Sequence, residues 1–535
     1  MAATAQTLLL MVAVLALVAV AATRLRISAS ILLVVAGIGM ALIPGLPKVE
    51  LAPELVLLAI LPPLIYSAGV AMSWREFKFN LRPIGLLAVG CVVFTTCMIG
   101  VAAHYLLGFD WAVGFLLGAI ISPPDVVAPL AIARQLGLPR RIVVVLEGEG
   151  LANDATALVL YRFAVVAVST GAFSLGHASI TFVLIVIGET LYGLAVGWVS
   201  LRLRQWAHNP RVEITLSLMT PYAAFWLPAH LGGSGVLATV ACGLYVSWNG
   251  PLLISSATRL QGIFFWDLIV YLIEGLVFLV TGLQVRTLIE QSHAFTFREL
   301  VVATALTTAI AVVARFLWIF PATYIPRWAS PALARRDPSP NWQAPFFLAF
   351  TGIRGVVSLA VALAIPYSVA SGAPFPNRDL ILFVTFGVII LTLVGQGLLL
   401  PSVVRLLGLG KLGSKEHEEE IRSELDARVA ALKEVEQRLQ KVIDERKLPD
   451  EVIELLRTRN QSRSQILPDN LRESLEQMRL SAAVKKELID AEREFIYRLL
   501  RDGKITDEAR RRIEYELDLE EAGVANRGRD GGGWM

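Results

Sequence analysis

Three carboxylates and an amide fall within eight residues of an otherwise apolar run, Glu147-Gly148-Glu149-Gly150-Leu151-Ala152-Asn153-Asp154. A second apolar run holds Ser122-Pro123-Pro124-Asp125, and a third holds Gly352-Ile353-Arg354-Gly355. If such runs cross a bilayer, each charge at mid-helix costs about 2.5–3.5 kcal/mol, and groups retained at that cost serve ion paths and proton relays. At about 100° per residue, Glu147 and Asp154 share a helix face two turns apart, whereas Glu149 points away from Asp154. One carboxylate then suits an ion path and another a salt bridge. Glu147, on the Asp154 face, is a candidate for drawing cations into a funnel. Pro123 and Pro124 remove two backbone donors and break their helix beside Asp125. At membrane depth a break is tolerated only where protein or a water-filled cavity satisfies the backbone. Carbonyls freed at Pro123 and Pro124, the Asp154 carboxylate and water would supply the oxygen ligands that hard alkali ions take.

The elements that hold these residues follow from composition and hydropathy. Of the 535 residues, 55% are hydrophobic and 17% are charged, with a mean hydropathy of +0.62. Soluble domains are nearer ~25% charged, so a large soluble enzyme is excluded. Spanning the hydrocarbon core takes ~20 apolar residues in a helix. The apolar runs give thirteen spans, roughly 5–23, 27–44, 52–71, 83–107, 111–133, 142–170, 178–201, 212–230, 233–248, 262–285, 299–325, 344–366 and 379–407. The first resembles a signal peptide but has no basic start, and Arg24 and Arg26 flank it as a stop-transfer segment would. One set of loops carries Arg24, Arg26, Arg75, Lys78, Arg82, Arg134, Arg140, Arg141, Arg202, Arg204, Arg211, Arg259, Arg327, Arg335 and Arg336, against Lys48, Arg286, Arg298 and Arg378 on the alternate set. That bias places the N-terminus outside and, with an odd number of spans, the tail in the cytoplasm. If spans one to six and eight to thirteen are repeats, the broken fifth and twelfth spans correspond and run in opposite directions. Paired interrupted helices of this kind point to a transporter site. The expected fold is an all-α membrane protein of about thirteen helices in two inverted repeats, with discontinuous crossing helices and a helical cytoplasmic tail.

Residues 1–410 form the expected membrane domain and 411–535 the tail. In the tail, Ile421, Leu425, Val429, Leu432, Val435, Leu439 and Val442 make a narrow apolar stripe that ends at Pro449. Helices are expected near 450–460, 484–501 and 506–521, with Thr506 as an N-cap, and the glycine-rich end from Arg527 reads as disordered. A net charge of +3 and no basic–aromatic stripe give no reason to expect nucleic acid. Cys91, Cys97 and Cys242 read as packing residues within apolar runs. The six histidines fall near span ends or in the tail. Glu189, Glu274 and Arg315 are further charges inside spans, the latter two deep enough to pair with each other or with the core. No zinc-hydrolase, phosphate-loop or nucleophile-elbow motif occurs, so neither an enzyme nor a cofactor is expected.

The order of motifs resembles the monovalent cation:proton antiporter family, in the branch of bacterial sodium/proton antiporters related to eukaryotic sodium/proton exchangers. The resemblance covers nearly all of 1–410. It rests on Leu61-Pro62-Pro63-Leu64-Ile65-Tyr66, Asp125-Val126-Val127-Ala128, Gly148 to Asp154, Ser234 to Ala238, Phe278 to Leu283, Gly352 to Gly355 and Gln396-Gly397. It implies that Asp154 carries the cation and the proton in turn and that Asp125 helps form the site at the helix crossing. It also implies that Glu149 pairs with Arg354. Neutral Asn153, standing where electrogenic relatives have a second aspartate, implies electroneutral exchange. The implied substrates are sodium, potassium or lithium and protons, moved across the plasma membrane by a homodimer. Three positions depart from the family pattern: Ser67 where an acid is frequent, Pro124-Asp125-Val126 where Thr-Asp-Pro is frequent, and Gly150 in place of a serine. Alternatives are a cation channel on the same fold and a membrane sensor whose tail transmits a signal.

Overall fold

The computed structural model describes residues 2–25, 27–44, 49, 52–291, 295–446, 449–464 and 471–528; Arg26, Lys48, His293 and the 529–535 end of the glycine-rich stretch lie outside them. Thirteen helical segments occupy the thirteen apolar runs. They are α1 (Ala2–Leu25), α2 (Ala29–Ala41), α3 (Pro53–Ala71), α4 (Leu81–Leu107), α5a and α5b (Trp111–Ile121, Val127–Gln135), α6 (Arg140–Thr170), α7 (Leu175–Ala207), α8 (Pro210–His230), α9 (Val236–Leu253), α10 (Ser256–Gln291), α11 (Phe297–Ala329), α12a and α12b (Gln343–Phe350, Val356–Leu363) and α13 (Arg378–Leu407). A helix satisfies its own backbone, which is why apolar sequence of this length adopts it in lipid. The helix breaks fall at 122–126 and 351–355, in the fifth and twelfth segments as the inverted repeat requires. The fold is therefore the expected two-repeat membrane architecture with crossing broken helices.

Two sets of helices are braced separately. In one, α2 and α10 cross at Gly37 and Gly282: a Cβ on Gly37 would strike the Leu279 carbonyl, and one on Gly282 would strike that of Val34. Small residues at such crossings let helices approach closely where lipid offers no hydrophobic drive. In the same set Glu189 of α7 caps α9. Its carboxylate accepts from the backbone N–H groups of Ser234, Gly235 (2.9 Å) and Leu237 (3.1 Å) and from the Ser234 hydroxyl (2.9 Å). An acid at a helix N-terminus meets both unsatisfied donors and the positive end of the dipole, which accounts for the Ser234–Ala238 motif. Arg204, counted above among loop charges, is instead buried in α7 and donates to the Tyr66 hydroxyl at 2.8 Å. Of the cysteines, Cys91 and Cys242 are buried as expected, but Cys97 is exposed. In the other set, Asp337 accepts from Arg82 (2.9 Å), Arg141 (2.7 Å) and Arg327 (2.8 Å), tying the ends of α4, α6 and α11.

The chain divides into two compact units, Met1–Gly413 and Ser414–Met535. The tail helices are α14 (Leu409–Arg446), α15 (Asp450–Ser464), α16 (Leu471–Arg501) and α17 (Asp507–Gly528). Ile489 of α16 and Leu517 of α17 form a small buried core, and Arg493 reaches Asp518 at 2.7 Å and Glu521 at 2.8 Å across the pair. Thr506 caps α17, its hydroxyl accepting from the Ala509 N–H at 3.2 Å.

Candidate functional site

The two breaks meet. The backbone N–H of Asp125 donates to the Ile353 carbonyl at 2.7 Å, joining one broken helix to the other. Asp125 Oδ1 accepts from the Val127 N–H at 2.9 Å and so caps the start of α5b. Asn153 Nδ2 donates to the Pro124 carbonyl at 2.7 Å, tying α6 to the break. Arg354 Nε donates to the Ile121 carbonyl at 2.7 Å, Nη1 donates to the Gly352 carbonyl, and the Arg354 N–H donates to Thr392 Oγ1 of α13 at 3.0 Å. The Pro124 carbonyl freed by the break is thus an acceptor for Asn153 and keeps one lone pair beyond that bond. Asn153 itself is fully buried.

The Glu149–Arg354 pairing does not form. Glu149 is bound by Arg315 of α11, with Nη1 to Oε1 at 2.6 Å and Nη2 to Oε2 at 3.2 Å. Both side chains are buried, at 0% and 1% exposure. Arg315 also donates to the Leu348 carbonyl of α12a at 2.8 Å. A bidentate guanidinium–carboxylate pair is the strong geometry for a buried ion pair, and Arg315 rather than Arg354 can present it. Arg354 serves the backbone of the breaks. The glycines beside it follow from crowding. A Cβ on Gly352 would run into the Arg315 and Arg354 side chains, and one on Gly355 would run into the Asp125 carboxylate.

Asp154 lies on the wall of a cavity of about 200 Å³ that reaches from the crossing toward the arginine-bearing ends of α5b and α6. One wall carries Pro123, Pro124, Asp125, Val126, Arg134, Glu147, Gly150 and Asp154 with the start of α12b; the other is α3 and α10. The volume exceeds what a single water needs. The Asp154 carboxylate has no hydrogen-bonding partner among the described residues. Glu147 shares the cavity, as its helix face required, but its carboxylate is bound by Arg134 at 2.6 Å. Gly150 packs against Val126, whose side chain a Cβ there would strike. The two departures at 126 and 150 therefore fit one another. Ser67 is not on the wall; its hydroxyl donates to the Leu64 carbonyl at 2.9 Å. Glu274 of α10 does line the cavity. Its charge inside a span was the signal, but nothing in the sequence connected it to Asp154. Among the described residues no group of three or more His, Cys, Asp or Glu side chains is placed to hold a metal ion.

An acid lining a cavity at the crossing of two inverted broken helices is the arrangement of a secondary-transporter site. The family model "Sodium/hydrogen exchanger, transmembrane" matches residues 10–406. An uncharacterized Na+/H+ exchanger of Mycobacterium tuberculosis is 37% identical over 71% of this chain and 70% of its own length. A sodium, potassium, lithium and rubidium/H+ antiporter of Bacillus pumilus is 35% identical over 68% of this chain and 56% of its own. The solved sodium proton antiporter of Methanocaldococcus jannaschii superposes with a TM-score of 0.60 at 20% identity, over 76% of this chain and 98% of its own, a likeness of fold. The chain belongs to the sodium/hydrogen exchanger family of multi-pass membrane antiporters. That membership displaces the channel and sensor alternatives.

Proposed function

We propose that this antiporter exchanges sodium for protons one for one at Asp154. The observation that carries this reading is a carboxylate without a hydrogen-bonding partner among the described residues, lining a cavity at the helix crossing. Burial disfavours a lone charge, and either a proton or a cation relieves it, so the two compete for the same oxygens. Alternating access follows if the loaded site crosses and the empty one does not. The two separately braced sets of helices are the bodies that move, around the breaks at 122–126 and 351–355. Neutral Asn153 supports electroneutrality, because it leaves one titratable carboxylate in the pair. Pro123 and Pro124 both line the cavity, and the Pro124 carbonyl also accepts from Asn153. The printed name of the Bacillus pumilus relative supports potassium and lithium as further cations. The loop charge bias supports an external N-terminus and a cytoplasmic tail in the plasma membrane, so that the cavity faces inward; a homodimer rests on the family alone. The tail regulates: deleting 415–535 alters the pH response and leaves insertion intact, whereas loss of insertion would make it a folding element.

The test is cation-induced dequenching of a pH dye in everted vesicles. Sodium dequenches with the wild type and not with Asp154→Asn, and an imposed membrane potential leaves the rate unchanged. Sodium-driven proton movement through Asp154→Asn would refute the assignment.

A further inference from the structure

The carboxylates on the cavity wall divide by partner and by bundle. Asp125 caps α5b, and Glu147 is neutralised by Arg134. Asp154 and Glu274 have no hydrogen bond or ion pair among the described residues. They also come from opposite walls. Asp154 stands on α6, which is braced to α5 by Asn153 and to α11 by the Glu149–Arg315 pair. Glu274 stands on α10, which is locked to α2 at Gly37 and Gly282. On its own wall the other lining side chains are apolar, among them Leu61, Leu64, Ala68, Val277 and Phe278. Among the described residues Glu274 is thus the one ionisable group that the α3–α10 wall presents to the cavity, and it is held on the set of helices opposite Asp154.

We infer that Glu274 is a further cation-binding residue of the pathway, a second carboxylate that faces the ion from the opposing wall. The inference rests on exchange at Asp154. A hard alkali ion takes several oxygen ligands, and Asp154 alone supplies few of them. A second unpartnered carboxylate raises the cavity's affinity for a cation, directly or through water, in the conformation where the two walls face each other. Because the two carboxylates ride on different bundles, relative movement of the bundles separates them. Glu274 therefore acts on loading from the cavity side, while Asp154 remains with the ion during crossing.

The test measures sodium-dependent exchange at fixed pH in wild type, Glu274→Asp and Glu274→Gln, with insertion quantified for each. The expected result is an apparent KM for sodium that rises in that order, by about tenfold in Glu274→Gln, equivalent to about 1.4 kcal/mol. Vmax per inserted protein stays within about twofold. A packing role alone would reduce insertion or Vmax and leave KM in place, and an unchanged KM in inserted Glu274→Gln overturns the inference. If Glu274→Gln does not insert, Glu274→Asp decides on the same criterion. Sodium-induced thermal stabilisation of the purified protein reads binding without transport. If wild type is stabilised by sodium yet moves no protons, exchange fails while Glu274 is still judged by whether Glu274→Gln shifts the sodium midpoint. If wild type shows neither response, both readings fall.

Discussion

Replacing Arg315 by methionine separates the observed ion pair from the one suggested by motif order. Glu149 is 0% exposed and its two oxygens are held at 2.6 and 3.2 Å. Charge centres about 4 Å apart, at an effective dielectric of about 20, attract by about 4 kcal/mol. Breaking one side of a buried pair costs about 3–5 kcal/mol, because the remaining charge has no water to return to. Arg315→Met should therefore lower the melting temperature of the detergent-purified protein by several degrees, at a scale of about 2–4 °C per kcal/mol for large domains. Arg354→Met is destabilising too, since it unsatisfies the Ile121 carbonyl, so single variants do not discriminate. Double-mutant cycles do. Glu149→Gln combined with Arg315→Met should lose clearly less than the sum of the two, a coupling of about 2–3 kcal/mol, whereas Glu149→Gln with Arg354→Met should be nearly additive. Strong coupling between 149 and 354, with additivity between 149 and 315, would refute the argument and restore the pairing implied by family resemblance.

Three further outcomes follow from single contacts. Gly355→Ala drives a Cβ into the Asp125 carboxylate, a strain of about 1–3 kcal/mol; vesicle exchange should fall sharply while membrane insertion is kept, and normal exchange would show that the crossing has slack. Glu189→Gln removes the charged cap from α9 and should cost about 1.5–3 kcal/mol, read as a lowered melting temperature with little change in the apparent KM for sodium. In the tail, hydrogen bonds from Arg510 and Arg511 hold the Asp507 carboxyl below the usual aspartate range. A depressed carboxylate adds stability that is full above its unfolded value and lost as pH falls through the folded one. Amide protection over 507–512, relative to the intrinsic exchange rate at each pH, should then fall only below about pH 4, and a loss beginning near neutrality would contradict the ion pairs.

The fold was legible because the bilayer simplifies the problem. Apolar length is a signal that tertiary packing does not overwrite, so thirteen runs became thirteen segments. The breaks were legible for the same reason: Pro123-Pro124 and Gly352 to Gly355 are unambiguous backbone events in apolar helices. What sequence could not resolve was which charge meets which. Glu149 had to leave the Asp154 face, and it does, but two arginines were within reach of that requirement. The choice between Arg315 and Arg354 depends on how α11 lies against α6, a distance of 166 residues along the chain. Pro124 shows a related limit. A broken helix frees a carbonyl, yet which side chain comes to it depends on the neighbouring helix, here through Asn153.

This last substitution of partners changes what Asn153 does. An aspartate at 153 would present an acceptor to the Pro124 carbonyl, itself an acceptor, and the hydrogen bond would be lost unless the new group carried a proton. The neutral residue is therefore coupled to the geometry of the break, beside the electroneutral exchange we propose for it. Asn153 holds α6 against α5 through its donor, and Asp154, one position on, is turned about 100° away into the cavity. The two neighbours thus differ in what holds them: Asn153 secures the crossing, while Asp154 has no hydrogen-bonding partner among the described residues, which under the exchange we propose leaves it open to a cation or a proton.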